Sequence, residues 1–388
     1  MTPSANPVLL SLLGGAALAW VTLASVSVAP NRIVPGTGHG ALEVAGWPGL
    51  ALSLLPVVAA AGLALKGGRR QLWLILVLVL AMLVGLPLWL ALAAHSLVDP
   101  GLPGARLGVG AGIWAVLFLL LLSLLEVRTR LELSRWLGGM LLLIPLASLA
   151  GVLTATPWLD SLALRREFVT RSDAFVAAVG EHLALVGAAV GCGLVIGVFL
   201  AMLMRHWPRL RGPGFTLLNF LQTVPSLALF GLLLAPLAWL AAELPWLAEL
   251  GVSGIGWAPA LLALIGYSLL PMVRNTFVAL DEVDPAVIDA ARGMGMTSGQ
   301  VFRQVRLPLA LPVLLEGVRI TTVQAIGLTA VAALIGAGGL GRFIFQGLGQ
   351  AAMDLVLLGA LPILVMALIA DALLGALGEW LRPGALHD

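Results

Sequence analysis

Side chains capable of chemistry are few in this chain, and most fall in its second half. Asp289-Ala290-Ala291-Arg292-Gly293-Met294-Gly295, followed by Val305-Arg306-Leu307-Pro308, sets charge and glycine between very apolar segments. Asp289 to Met294 can form a short helix that Gly295 breaks. A second short helix can follow before Pro308 opens the next apolar span. Such a helix-turn-helix is a knob; in the alternative reading Gly295 only ends an interfacial helix. Further upstream, Asn219, Gln222, Thr223 and Ser226 share one face, an arc of about 100° at 100° per residue. Four hydrogen-bonding side chains facing lipid would be costly, so this stripe faces protein or water. It either lines a translocation path or acts as polar glue between helices. Pro225 lies in the stripe and should bend the helix, freeing a backbone carbonyl. Glu316, Arg319, Thr322 and Thr329 share another arc, with Glu316 and Arg319 spaced to pair. A path role and a structural ion pair are both open there, as they are for Asp371. His39, His95, His182, His206 and His387 are scattered, and Cys192 is the single cysteine. No nucleophile–base pair or metal-ligand set is expected, which argues against a membrane-embedded enzyme.

The elements that position these residues are built for a bilayer. Of 388 residues, 60% are hydrophobic and 10% charged, whereas a soluble domain carries about 25% charged residues. A net charge of +2 does not point to nucleic acid, because the charges sit in short loops between apolar stretches. About 20 apolar residues cross a bilayer. Ten candidate spans follow: 8–29, 49–65, 71–94, 107–125, 136–153, 180–204, 214–240, 258–277, 309–335 and 353–377. No Lys or Arg precedes Arg32, so a retained first helix is expected rather than a cleaved signal peptide. With both termini cytoplasmic, inside loops carry Lys66, Arg69, Arg70, Arg128, Arg130, Arg135, Arg205, Arg209, Arg211, Arg274, Arg292, Arg303, Arg306 and Arg382. Outside loops carry Arg32, Arg106, Arg165, Arg166, Arg171 and Arg342. The inside excess satisfies the positive-inside rule and puts Asp289–Pro308 in the cytoplasm. Asp160–Asp173 breaks that rule locally. It reads as an amphipathic helix on the outer surface, or as a sign that one earlier span is miscounted.

The expected organisation is all-α and polytopic. An N-terminal transmembrane region covers 1–155, a polar linker or surface helix 156–179, and a second membrane unit 180–378, with its charged loop over 281–308. Gly187, Gly191, Gly193 and Gly197 give two G-x-x-x-G spacings that mark close helix packing. Gly336 to Gly341 cannot continue a helix and reads as a sharp turn at the outer face. His182 reads as a helix-start residue.

Several segments then point one way. They are Gly180-Glu181-His182-Leu183, Leu221-Gln222-Thr223-Val224-Pro225-Ser226, Tyr267-Ser268-Leu269-Leu270-Pro271 with Arg274-Asn275-Thr276, Gly293-Met294-Gly295-Met296-Thr297, and Gly336-Ala337-Gly338-Gly339-Leu340-Gly341. In the loop, an acidic residue and two alanines are followed by glycine at the seventh position and Leu-Pro at the nineteenth and twentieth. Together these closely resemble the permease subunits of ABC-type osmoprotectant importers, which move glycine betaine, choline, carnitine and related quaternary amines. The resemblance covers about residues 175–378, and the extra N-terminal half is similar to the longer permeases of that family.

The resemblance implies the type I ABC importer permease (MetI-like) fold in a multi-pass protein of the bacterial inner membrane. It implies that Asp289, Ala290, Ala291, Gly293, Gly295, Leu307 and Pro308 dock on a cytoplasmic ATPase. The residues expected to line a path are Asn219, Gln222, Thr223, Pro225, Ser226, Tyr267, Arg319 and Thr322. Implied partners are two ATPase subunits, a second permease copy or paralogue, and a periplasmic or lipid-anchored binding protein. The single lysine, Lys66, is followed by Gly67, so no Walker A motif exists; ATP-Mg would be used by the partner ATPase, and neither cofactor nor metal is expected on this chain. A quaternary ammonium group suits aromatic rings. Tyr267, Trp239, Trp246 and Trp257 are available, although an interfacial belt explains the tryptophans equally well. Alternatives are an ABC importer permease for another small solute such as an amino acid, or an ion-coupled secondary transporter.

Overall fold

Asn6 opens the first helix by accepting hydrogen bonds from the N–H groups of Val8 and Leu9, with Pro7 at its first position. The computed structural model that shows this describes residues 5–32, 34–155 and 157–381. Arg382 and His387, named above, and position 156, where the linker range begins, lie outside the described residues. The chain forms two compact units, one ending at Thr170 and the other beginning at Arg171.

In the first unit, α1 (Pro7–Thr22), α2 (Ala41–Lys66), α3 (Arg69–Leu97), α4 (Ala111–Leu131) and α5 (Arg135–Ala155) are the apolar helices, and α6 (Ala163–Thr170) is short. Leu9, Leu13, Ile75, Val79, Leu83 and Leu120 form the centre of their common core. The first span is shorter than the hydropathy indicates. It stops at Thr22, and Val26–Ala29 forms β1, the middle strand of a small antiparallel sheet with β2 (Thr37–His39) and β3 (Arg106–Val109). Serine and valine alternate over Ser25-Val26-Ser27-Val28, which suits a strand facing two environments better than a lipid-facing helix. The sheet is a small addition to an otherwise helical protein.

In the second unit, α7 (Ser172–His206), α8 (Arg211–Thr223), α9 (Ser226–Glu243), α10 (Pro245–Glu249) and α11 (Trp257–Asp281) lead into the loop helices α12 (Pro285–Gly293) and α13 (Ser298–Gln300). Next come α14 (Leu307–Ala332), α15 (Gly341–Gly349) and α16 (Met353–Trp380). α11 is the hub and packs on α7, α8, α9 and α14. Of the two G-x-x-x-G spacings in α7, only one makes close contact. A Cβ at Gly193 or Gly197 would come within 2.7 Å of Ser268 or 2.6 Å of Met272, whereas nothing lies within 4 Å of Gly187 or Gly191. The sixth span starts earlier than hydropathy indicates and runs for 35 residues. His182 is therefore not a helix start: it is fully buried inside α7, with Nε2 3.0 Å from the Ile326 carbonyl oxygen.

Among the described residues, eight helices are long and apolar enough to cross a membrane, and Pro7–Thr22 and Met140–Thr154 are shorter apolar helices. These correspond to the ten hydropathic spans, with one exception in form. The seventh is not a bent helix but two helices, α8 and α9, separated at Val224 and Pro225.

Candidate functional site

Asp284 begins the loop's first helix. Its carboxylate accepts from the Ala286 N–H at 2.8 Å, and Pro285 follows at the first position. The helix ends in a paired closure: the Gly295 N–H donates to Arg292 O at 2.9 Å and the Met296 N–H to Ala291 O at 3.2 Å. That is a Schellman motif, which needs a left-handed residue at its turn. Gly295 supplies it with φ of +85°. Thr297 then starts the next helix through a capping box: Thr297 Oγ1 accepts from Gln300 N at 3.3 Å, while Gln300 Oε1 accepts from Thr297 N at 2.8 Å.

The loop carries its own apolar core of Val283, Ile288, Ala291 and Val301, with Met296 and Val305 packed against it. Ala291 is buried in that core, while Asp289, Ala290, Gly293, Gly295, Leu307 and Pro308 are exposed. Met294 at the tip is 75% exposed. Asp289 and Arg292 lie 3.8 Å apart on the outer face, and Arg205 at the end of α7 pairs with Asp281 at the end of α11.

One part of the loop differs from the sequence reading. The second short helix does not stop before Pro308; a π turn over Val301–Arg306 joins it to α14 in one run. Proline cannot donate, so Gln304 O has no intrahelical donor at Pro308. In the widened turn the Leu307 N–H donates to Phe302 O, one residue further back than in an α-helix.

At the break between α8 and α9, Pro225 withholds its N–H, and Val224 and Pro225 are extended. The Tyr267 hydroxyl donates to Val224 O. Tyr267 in turn precedes Pro271 by four residues in α11, so its own carbonyl loses its intrahelical donor. Gln222 Nε2 donates to Tyr267 O at 2.6 Å. Pro271 thus frees the Tyr267 carbonyl, the extended break leaves Val224 O outside both helices, and each carbonyl is bonded across the interface. Gln222 is half-buried and Tyr267 buried, while Asn219, Thr223 and Pro225 are exposed and Ser226 is intermediate. Sequence spacing placed these residues on one arc but gave no indication that Tyr267, 45 residues away from Gln222, is its partner. Replacing Gln222 with Leu, or Tyr267 with Phe, should lower unfolding stability by about 1–2 kcal/mol each, because each leaves a carbonyl without a donor inside the bilayer. Adding Pro271→Ala to Gln222→Leu restores an N–H to Tyr267 O and should recover most of the loss. Thermal unfolding in detergent reads both effects. An unchanged midpoint for Gln222→Leu rules out the exchange.

Arg319 on α14 joins Asp371 on α16 in a two-pronged ion pair of 2.7 and 2.8 Å, with Glu316 3.3 Å away. Thr322 bonds back to Val318 O at 2.7 Å within its own helix. Tyr267, Arg319 and Thr322 do not share one cluster of hydrogen bonds. At the glycine turn, Gly339 N donates to Glu181 Oε2 at 2.8 Å, and Arg342 Nη2 lies 3.7 Å from the same oxygen. Among the described residues, no group of three or more His, Cys, Asp or Glu is placed to hold a metal ion.

The second unit is thus a helical membrane unit with a folded loop outside its spans and a proline-broken span. The family model described as "Binding-protein-dependent transport system inner membrane component" matches residues 193–383, and "ABC transporter permease YehY, N-terminal domain" matches residues 5–165. The osmoprotectant import permease protein OsmW of Salmonella typhimurium is 42% identical over 207 residues, 53% of this chain and 91% of that protein. The carnitine transport permease protein OpuCB of Listeria monocytogenes is 38% identical over 208 residues, 54% of this chain and 88% of that protein. A solved chain titled "Inward facing conformations of the MetNI methionine ABC transporter" overlaps 55% of this chain and 99% of its own length, at 23% identity and a TM-score of 0.45. The chain belongs to the family of binding-protein-dependent transport system inner membrane components: it is a multi-pass permease component of an ABC-type importer, a transport subunit rather than an enzyme.

Proposed function

We propose that this permease moves quaternary ammonium osmoprotectants such as glycine betaine or choline, and that its loop over residues 281–308 takes the stroke of a separate ATPase. The loop carries the reading. A knob outside the spans with a core of its own (Val283, Ile288, Ala291, Val301) and an exposed tip at Met294 can be pushed without collapsing. Asp289, Ala290, Gly293, Gly295, Leu307 and Pro308 offer the contact surface, and Ala291 holds the knob to its core. The substrate class is supported by the names of the relatives, which cite osmoprotectants and carnitine, and in a Bacillus subtilis relative 37% identical over 190 residues glycine betaine, carnitine and choline.

Two ATPase subunits would serve a pair of permeases, either two copies of this chain or this chain and a paralogue. A periplasmic or lipid-anchored protein would deliver the solute. ATP-Mg belongs to the ATPase, since the lone Lys66 cannot complete a Walker A motif here. Nucleotide-driven closure would pull the knobs and alternate the access of the path. In that path, Asn219 and Thr223 project from the subunit, while Gln222, Pro225, Ser226 and Tyr267 shape the break beside them. Arg319 and Thr322 line α14 further along.

Uptake by cells lacking their own osmolyte importers, carrying this chain with its ATPase and binding protein, tests the substrate. Labelled glycine betaine or choline should accumulate. Accumulation of an amino acid and of neither amine overturns the substrate class.

Single cysteines test the path. In a Cys192→Ala background, Asn219→Cys, Thr223→Cys and Ser226→Cys should react with a small water-soluble thiol reagent well above Leu217→Cys, Leu221→Cys and Leu227→Cys. Trapping with nucleotide should change that labelling. Equal protection at all six positions means that the stripe is packing glue.

A further inference from the structure

Short loops on the outer side of an inner-membrane protein are ordinarily poor in arginine. The first unit departs from this in one place. Lys66, Arg69, Arg70, Arg128 and Arg130 gather where α2 and α4 end, and Arg32, Arg106, Arg165 and Arg166 lie at the opposite end, by the sheet and α6. The second group is not scattered. Strand β3 is tied to the turn before α6 by the Leu107 N–H, which donates to Ser161 O at 2.8 Å. That tie brings all four arginines to the wall of one open cavity of about 540 Å³.

The charges there are not balanced. Glu167, 2% exposed, receives Arg106 Nη1 at 2.6 Å and Arg32 Nε at 3.1 Å. Asp160 pairs with Arg165. Arg166 donates to the carbonyls of Asp160 at 3.0 Å and Pro103 at 2.8 Å, which fixes its guanidinium at the rim without neutralising it. Four guanidinium groups thus face two carboxylates. Glu167 sits behind the wall, so an incoming group meets mainly positive charge. Trp158, 52% exposed, lines the adjoining hollow with Asp160 and Arg166. An exposed tryptophan at the end of apolar spans marks the headgroup level of a bilayer.

We infer that this arginine-lined cavity is an oxyanion site at the outer face of the first unit, taking a phosphate group of a membrane lipid headgroup or of free phosphate. Guanidinium groups held apart on a rigid wall match the spread oxygens of a phosphate and bond two of them at once. On the cytoplasmic side, basic pockets between spans take anionic headgroups in the same way. The structure builds the wall so that it survives without its ligand: the buried Glu167 keeps Arg32 and Arg106 in place when the cavity is empty. The site is independent of the solute that the second unit moves.

The test uses the full chain in an uncharged detergent, with thermal unfolding as readout. Probes are inorganic phosphate, micelles doped with phosphatidylglycerol, and micelles doped with phosphatidylcholine as the zwitterionic control. Phosphatidylglycerol should raise the midpoint more than phosphatidylcholine does, and added salt should weaken the effect. Arg165→Gln, which leaves the Glu167 cluster intact, should weaken the apparent affinity about tenfold, the loss of one charge-assisted contact. Asp160→Asn removes the opposing charge from the wall and should strengthen it. Inorganic phosphate that reproduces the whole effect identifies a free anion as the ligand; a response to the lipid alone identifies the headgroup. No response to either anion overturns the inference. So does a response that Arg165→Gln and Asp160→Asn leave unchanged.

Discussion

Alanine in place of Gly341 is expected to leave little folded protein in the membrane. The glycine begins α15 against the backbone of α14. A Cβ there would lie 1.9 Å from Ala330 O, where contacts under 3.0 Å essentially never occur. The obstacle is backbone on both sides, so no side chain can rotate away. Leu340 and Phe343 flank the glycine and are 0% and 2% exposed, so the helix cannot shift without opening the core around them. Overpacking commonly costs about 1–3 kcal/mol, and a backbone-to-backbone clash belongs at or above the upper end of that range. Gly349→Ala at the far end of the same helix, where nothing lies within 4 Å, is the control. Yield of monodisperse protein and melting temperature check the pair. A Gly341→Ala variant that purifies and melts like the parent contradicts the close approach.

Gly295→Phe should abolish most uptake while leaving insertion and protein amount near normal. Nothing lies within 4 Å of a Cβ at Gly295, so the ring meets no obstacle; the φ of +85° is what a phenylalanine resists. Holding a bulky residue there costs about 1–3 kcal/mol, which reshapes one turn rather than unfolding a ten-span protein. The reshaped turn moves Met294 and the end of α12, the surface the ATPase would grip. Gly295→Asn, which tolerates left-handed backbone, should keep much of the activity. Uptake and substrate-stimulated ATP hydrolysis in the assembled transporter read the result. Normal transport by Gly295→Phe removes the coupling role from this loop.

What was legible beforehand depended on how far apart the deciding residues lie. The loop's turn and a disruption at Pro225 depend on neighbours within a few residues, and both are readable from glycine and proline chemistry, although the disruption reads as a bend and not as the full break between two helices. The π turn was not, because the run before Pro308 has ordinary helix-forming residues, and only the proline hints that a bond must be rerouted. Hydropathy overran the first span because Val26 and Val28 are as apolar as helix residues; the two partner strands that claim them come from 37–39 and 106–109. His182 looked like a terminal residue because α7 extends ten positions before it through alanine, valine and phenylalanine mixed with polar residues. The Arg319–Asp371 pair joins residues weighed separately, 52 positions apart. Arg165 and Arg166 read as part of a local exception to a rule, and Arg32 and Arg106 as ordinary loop residues, until the sheet brought the four together.

The carbonyl exchange between α8 and α11 also bears on how this protein can change over generations. The break at Val224–Pro225 costs more once Tyr267 loses its hydroxyl, and Pro271 costs more once Gln222 loses its amide. Loss of the Gln222 amide or the Tyr267 hydroxyl leaves an orphaned carbonyl, and for Gln222 the repair, Pro271→Ala, lies on another helix. These four positions therefore behave as one heritable unit. A chimaera that takes α8 from one permease and α11 from another should be less stable when its parents differ at these positions.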